Sequence, residues 1–275
     1  MLIFSSCSKS ASSPKDDQNN LRRIKKSNKI IIDNANRVDR ENADRIIESI
    51  TYFYNDDDLL IQLNFYADTA AGTPLQAAWD VEYYNNIATL SSVTNSSVGL
   101  QFIHDNQKRV LVVKSIINGL DSIKFYYGDS NQISEIKIID IFGQSKHHFD
   151  FIYDENNNLL AYKTIDRNNG NLVSRVALSY YPDYKIRNEF DSRFYREETR
   201  LYYLGGLNLI YMLGLNYGET TKNALKERIE YMPNLTGDTT TRTNQYTYTF
   251  NSENEIIYRK MTGPSDTLYY NFEYE

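Results

Sequence analysis

The chain has 275 residues, enough for one large β-domain, and carries 30 Lys and Arg against 36 Asp and Glu, for a formal net charge of −6. With no long basic run to displace counterions from phosphates, nucleic acid is not an expected partner. The single cysteine, Cys7, excludes an intrachain disulfide framework and a cysteine-based zinc site.

Met1-Leu2-Ile3-Phe4-Ser5-Ser6-Cys7 is an apolar start followed by two small residues and the only cysteine. It resembles the end of a bacterial lipoprotein signal peptide, which implies that residues 1–7 are a truncated signal peptide and that the Cys7 thiol carries the lipid anchor. The alternative is a free thiol in a floppy terminus. Residues 8–45 read as tether and linker: Ser8 to Asn20 is rich in Ser, Lys, Asp and Asn without apolar periodicity. Within it, Lys15-Asp16-Asp17 resembles the Lys-acidic-acidic export signal of Bacteroidetes lipoproteins. That implies an outer-membrane location, surface-exposed or periplasm-facing. No apolar stretch reaches the roughly 18 to 20 residues of a spanning helix, so the membrane is an expected partner only through the lipid. Arg22, Arg23, Lys25 and Lys26 read as a solvated linker entering a first strand at Lys29 to Ile32, and Asp33 to Glu48 as a loop or short helix.

From residue 46 to 275 one pattern repeats: an aromatic-rich run, a cluster of Asn, Asp or Gly, then an aliphatic run. Clear copies turn at Asn55 to Asp58, Gly128 to Gln132, Asp154 to Asn158 and Asn251 to Glu255; weaker ones centre on Asn85-Asn86, Asp105 to Lys108 and Asp183. Asn, Asp and Gly tolerate the left-handed backbone of tight turns, while β-branched and aromatic residues suit the pleated flanks. The predicted fold is all-β, a large curved antiparallel meander of repeated hairpins, open or partly closed like a barrel. Alternation places Ile123, Phe125 and Tyr127 on one face and Lys124 and Tyr126 on the other.

Two segments break the pattern. Leu201 to Tyr217 is rich in Leu, Ile and Met with Gly205-Gly206, and reads either as a short helix or loop plugging one end of the sheet or as another buried strand pair. Asn234 to Asn244, rich in Thr, reads as an exposed loop leading into the last hairpin.

The start at Cys7, hairpins such as Tyr153-Asp154-Glu155-Asn156-Asn157-Asn158-Leu159, the interruption at 201–217 and the closing Tyr246 to Glu255 resemble a Bacteroidetes lipoprotein family of unknown function with a porin-like antiparallel sheet. Several hairpins also resemble the Tyr-Asp (YD-type) repeats of large bacterial surface and toxin-encapsulating proteins. The family has no assigned activity, so the resemblance implies no functional residue beyond the lipidated Cys7.

Chemistry is sparse. The three histidines are His104, His147 and His148; adjacent strand residues point to opposite faces, so His147 and His148 do not share a metal. No nucleophile elbow, phosphate loop, calcium loop or HExxH helix occurs, no cofactor is implied, and Asp56-Asp57-Asp58 reads as turn chemistry. The lone Trp79 is a possible aromatic contact for a sugar, against simple packing. Asp68-Thr69-Ala70, Asp121-Ser122-Ile123, Asp238-Thr239-Thr240 and Asp266-Thr267-Leu268 resemble the O-glycosylation triplet of Bacteroidetes envelope proteins, which marks Thr69, Ser122, Thr239 and Thr267 as candidate acceptors and expects Thr69, Thr239 and Thr267 to be accessible in turns.

The function expected from the anchor, the tether and the surplus of Tyr, 24 against 12 Phe, is a non-catalytic binding module for a glycan, peptide or other envelope component. The competing readings are a structural protein mating through sheet edges, and a glycoside hydrolase, which requires two carboxyls about 5 to 9 Å apart. A transmembrane barrel is disfavoured by short runs with interspersed charges.

Overall fold

A computed structural model describes residues 24–33, 48–67, 77–94, 98–116, 122–139, 145–185, 208–218, 222–234, 238–253, 255–264 and 266–274. Cys7, the Lys15-Asp16-Asp17 triplet, Thr69 and Gly205-Gly206 lie outside these residues. The strands in chain order are β1 (Ile24–Asp33), β2 (Glu48–Tyr54), β3 (Leu60–Ala67), β4 (Ala77–Tyr84), β5 (Ile87–Ser92), β6 (Gly99–His104), β7 (Val110–Ser115) and β8 (Ser122–Tyr127). They continue with β9 (Ile133–Ile139), β10 (Ser145–Tyr153), β11 (Leu159–Asp166), β12 (Leu172–Lys185), β13 (Asn223–Pro233), β14 (Thr239–Phe250), β15 (Ile256–Thr262) and β16 (Asp266–Tyr274), with one short helix, α1 (Asn208–Met212), between β12 and β13.

Strands β2 to β16 run as one antiparallel meander, each bonded to the strands before and after it in sequence. β1 pairs with β16 from Ile24 to Asp33 and with β2 from Lys26 to Lys29, closing the sheet into a barrel. The predicted meander is therefore the observed one, and no strand of the described sheet has a single neighbour. Closure also moves the start of the domain: β1 lies inside the stretch expected to be tether, and Lys25 and Lys26 are strand residues rather than linker.

The turns follow from the residues that make them. In the hairpin between β2 and β3, Asp58 N donates to Asn55 O and Asn55 N to Leu59 O, so a tight turn ends in a left-handed residue, Asp58 at φ 60°. The Asn55 side chain locks it by accepting from Asp57 N and Leu59 N. Asp105 does the same for Gln107 N and Arg109 N, Asp154 for Asn156 N and Asn158 N, and Asn251 for Glu253 N and Glu255 N. The left-handed position falls on Lys108 and Asn157 in the corresponding loops and on Asn131 in the Gly128 loop, two of them Asn, which after Gly tolerates it best.

A second repeat braces the same end of the barrel. The hydroxyls of Tyr83, Tyr127, Tyr153, Tyr180, Tyr248 and Tyr274, near the ends of even-numbered strands, each donate to the carbonyl of a residue at or near the start of the preceding odd-numbered strand, over 2.7–3.2 Å. The Tyr-rich composition is thereby explained in part: rings pack inward while the hydroxyl ties neighbouring hairpins together.

Alternation sets the two faces. In β4 Trp79 and Val81 are buried while Asp80 and Glu82 are exposed, and in β8 Ile123 and Phe125 are buried while Lys124 is exposed. The apolar side chains fill the interior, and charged residues sit outward at mid-strand, the reverse of a lipid-facing barrel. Strand length does not make this distinction, since β12 runs to 14 residues and β14 to 12, longer than the runs expected from the sequence.

The interruption at 201–217 resolves, over its described part, into the plug rather than a strand pair. Ile210, Tyr211, Met212, Leu213, Leu215 and Tyr217 are buried, and Phe125 packs on Tyr217 at 5.2 Å between ring centroids. Asn216 docks on the turn between β6 and β7, its N donating to Lys108 O and its O accepting from Val110 N, both at 2.9 Å. Gly218 is required beside it, because a Cβ there would stand 2.1 Å from Asn131 O and φ is +73°. Two further expectations differ from the structure. Thr239 to Asn244 is strand, not loop, because pairing with β13 overrides a sequence without apolar alternation. Asp183 sits within β12 rather than at a turn.

Asp105 gives the turn end a pH dependence. Burial alone raises its carboxyl pKa, but donation from the Arg109 side chain at 2.7 Å and from the Arg109 and Gln107 amides outweighs burial and holds it below the ordinary 3.8. A depressed carboxyl pKa stabilises the fold above the unfolded value and loses that contribution as pH falls through the folded one. The stability difference between wild type and Asp105→Asn is expected to be largest near neutral pH and to shrink between about pH 5 and about pH 3, read from urea midpoints at each pH. A pH-independent difference would contradict the assignment.

Candidate functional site: a groove across strands β11 to β14

The outer wall between β10 and β13 departs from the charged pattern elsewhere, and a β-bulge begins the departure. In β10 Asp150 is left-handed at φ 54° and the pairing with β11 slips between Phe149 and Ile152. The extra residue reverses the faces beyond it. Phe151 turns inward to stack on Tyr162 at 5.5 Å, and Ile152 turns outward, 55% exposed. Asp150 is held by Lys163 Nζ at 2.7 Å.

Register then carries an apolar row sideways across the sheet. Ile152 lies opposite Ala161, Ala161 opposite Ala177, and Ala177 opposite Ile229. Two adjacent methyl side chains between two isoleucines leave a depression. The next row has a different chemistry: Phe149 opposite Lys163, Lys163 opposite Arg175, Arg175 opposite Tyr231. A groove of about 580 Å³ opens over the β11–β13 part of these rows and the start of β14, lined by Ala161, Leu172, Arg175, Val176, Ala177, Tyr231, Pro233 and Thr239. Its size falls in the range of small-ligand sites, its floor is apolar, and Arg175, the Tyr231 hydroxyl and Thr239 supply the polar contacts.

Behind the same strands the interior wall is polar and sealed. Arg228 and Glu230 are both fully buried, Arg228 Nη1 lying 3.1 Å from Glu230 Oε2 and Nη2 3.4 Å from the Tyr162 hydroxyl. Burial alone lowers the guanidinium pKa; the Tyr162 oxygen and the Glu230 carboxylate outweigh it and hold Arg228 above its ordinary range. This pair braces the wall beneath the groove and has no path to solvent from its own side chains.

The structure disperses most residues singled out from the sequence. Trp79 packs into the core at 9% exposure, opposite Leu63, so its ring is not an open sugar platform; Tyr231, 38% exposed, is the aromatic at the groove. Thr239 is exposed and lines the groove, Ser122 is half-buried at the start of β8, and Thr267 is buried at 5% exposure, which closes it to an enzyme in the folded protein. His148 faces inward with Nδ1 2.7 Å from Thr164 Oγ1, whereas His147 faces outward beside Glu135. Burial lowers the His147 pKa, and the Glu135 carboxylate opposes this without reversing it. His104 is buried with Nδ1 2.8 Å from Asp105 O. Among the described residues no three His, Cys, Asp or Glu side chains are grouped to hold a metal ion.

The fold is similar to a porin-like protein from Bacteroides uniformis, with a TM-score of 0.60 and 14% identity over 92% of this chain and 98% of that one. It is also similar to a porin-like protein from Bacteroides vulgatus, with a TM-score of 0.56 and 10% identity over 92% and 98%. No protein-family model and no curated protein matches the sequence. At these identities the likeness is one of fold: a porin-like antiparallel β-sheet.

Arg228→Met is expected to destabilise the protein by about 3 kcal/mol, because the buried Arg228–Glu230 ion pair is broken from one side, and Arg228→Met with Glu230→Met to recover part of that loss. Urea denaturation of the two variants checks this. A single variant as stable as wild type, or a double variant worse than the single, contradicts the pairing.

Proposed function

We propose that the protein is an envelope-anchored, non-catalytic binding module that takes a glycan in the groove across β11 to β14. The observation that carries this reading is the groove itself: an alanine floor with an exposed Tyr and an Arg side by side at its wall. A sugar ring has an apolar face for the floor and the Tyr231 ring, and hydroxyls for Arg175 and Thr239. An extended peptide suits the groove less. It binds sheets by adding a strand at an edge, whereas here the main-chain groups of β11 and β12 are committed to ladders on both sides. Assembly through sheet edges meets the same obstacle in a closed strand order. The groove lining holds no carboxylate or histidine, which favours binding over glycoside hydrolysis.

The proposed location is the outer membrane, by a lipid on Cys7 with the barrel in water. Outward mid-strand Asp80, Glu82, Lys124 and Lys226 suit water rather than acyl chains. The porin-like fold shared with Bacteroides proteins fits an outer-membrane-related role.

A glycan array probed with the protein is expected to return a defined set of hits that Tyr231→Ala reduces by about tenfold or more, the scale of one aromatic contact in a binding site. An array without hits above background, or hits that survive Tyr231→Ala unchanged, would overturn the reading.

A further inference from the structure

The groove has a charge that the proposed glycan must meet. We propose that it selects glycans bearing carboxylates, with Arg175 as the specificity-determining residue; this rests on the glycan-binding reading above. Arg175 is exposed on the outer face of β12, and among the described residues it makes no ion pair. The neighbouring cation, Lys163, is engaged by Asp150 at 2.7 Å and lies under Phe149. Glu227, on the far side of the Ile229 row, pairs through Gln245 Nε2 at 3.4 Å and does not border the cation wall. A guanidinium is thus left facing an apolar depression on a protein whose net charge is −6.

Geometry favours a carboxylate over a diffuse anion preference. Arg175 and Tyr231 are register partners, so their Cα atoms stand roughly 5 Å apart, about the width of a pyranose ring. A ring resting on Tyr231 brings its exocyclic carboxylate within reach of the planar guanidinium fork, which matches a carboxylate with two parallel hydrogen bonds. A neutral sugar offers hydroxymethyl at that position and leaves the charge uncompensated.

The test is calorimetric titration of the full chain with α-1,4-linked tetragalacturonate and with its fully methyl-esterified form, which keeps the sugar configuration and removes the charge. Tetragalacturonate is expected to bind at least about tenfold more tightly, the equivalent of one charge-assisted bidentate contact. That preference is expected to fall as salt rises from about 50 mM to about 500 mM. Arg175→Gln is expected to remove the preference, weakening tetragalacturonate about tenfold more than its methyl ester, and Tyr231→Ala to weaken both ligands. Circular dichroism of each variant confirms the fold, which an exposed side chain does not hold. Equal affinity for the two tetramers, tighter binding of the methyl ester, or a preference that survives Arg175→Gln overturns the carboxylate assignment and leaves the glycan reading standing. An array without glycan hits removes both.

Discussion

Every structural feature rests on one requirement, that each strand's main-chain donors and acceptors find a neighbour on both sides. A meander alone satisfies this everywhere except at its first and last strands, which present unpaired edges. β1 resolves both at once by pairing with β16 and β2. The consequence is a closed strand order in which no described strand lacks a neighbour on either side, and the proposed recognition is therefore placed on side chains of the outer face. The glycan reading and the rejection of edge-to-edge assembly both descend from this.

Closure also fixes which way the alternation points. Ile, Val, Leu and Phe from β3 to β9 fill the interior, and the plug residues Ile210 to Tyr217 pack against them at the turn end. With the core inside, a lateral patch that is neither charged nor bulky has to be built, and the bulge at Asp150 builds it by turning Ile152 out while keeping Phe151 in. A left-handed Asp in mid-strand is costly in conformational energy, and such strain persists where surrounding structure holds it, here through the Lys163 ion pair and the Phe151–Tyr162 stack. The groove lies beside that bulge, where Ile152 stands opposite Ala161 at its edge.

Much of the architecture was legible from residue order because it is written in local chemistry. Asn55, Asp105, Asp154 and Asn251 mark turns by bonding their own backbone, an effect confined to five consecutive residues. Segments without such local marks misled. Thr239 to Asn244 lacks apolar alternation and is made a strand by pairing with β13, and β1 belongs to the sheet by its pairing with the far end of the chain. The groove was not legible at all. Ala161, Ala177, Arg175 and Tyr231 are unremarkable in sequence, and only the lateral register of β11, β12 and β13 makes them neighbours. Trp79 drew attention as the lone Trp, yet its position opposite Leu63 commits it to the core.

The closure of the barrel is tested most directly by amide hydrogen exchange of the full chain, followed along the seam of β1 and β16. Ile30 to Ile32 and Thr267 to Tyr270 are expected to be protected to a degree comparable with Val113 and Ile136 in the middle of the wall, because all four sets sit in ladders of one cooperative sheet. Exchange of the β1 and β16 amides at the rate of an unstructured chain, with the rest of the sheet protected, would contradict the closed barrel and return two free edges to the molecule.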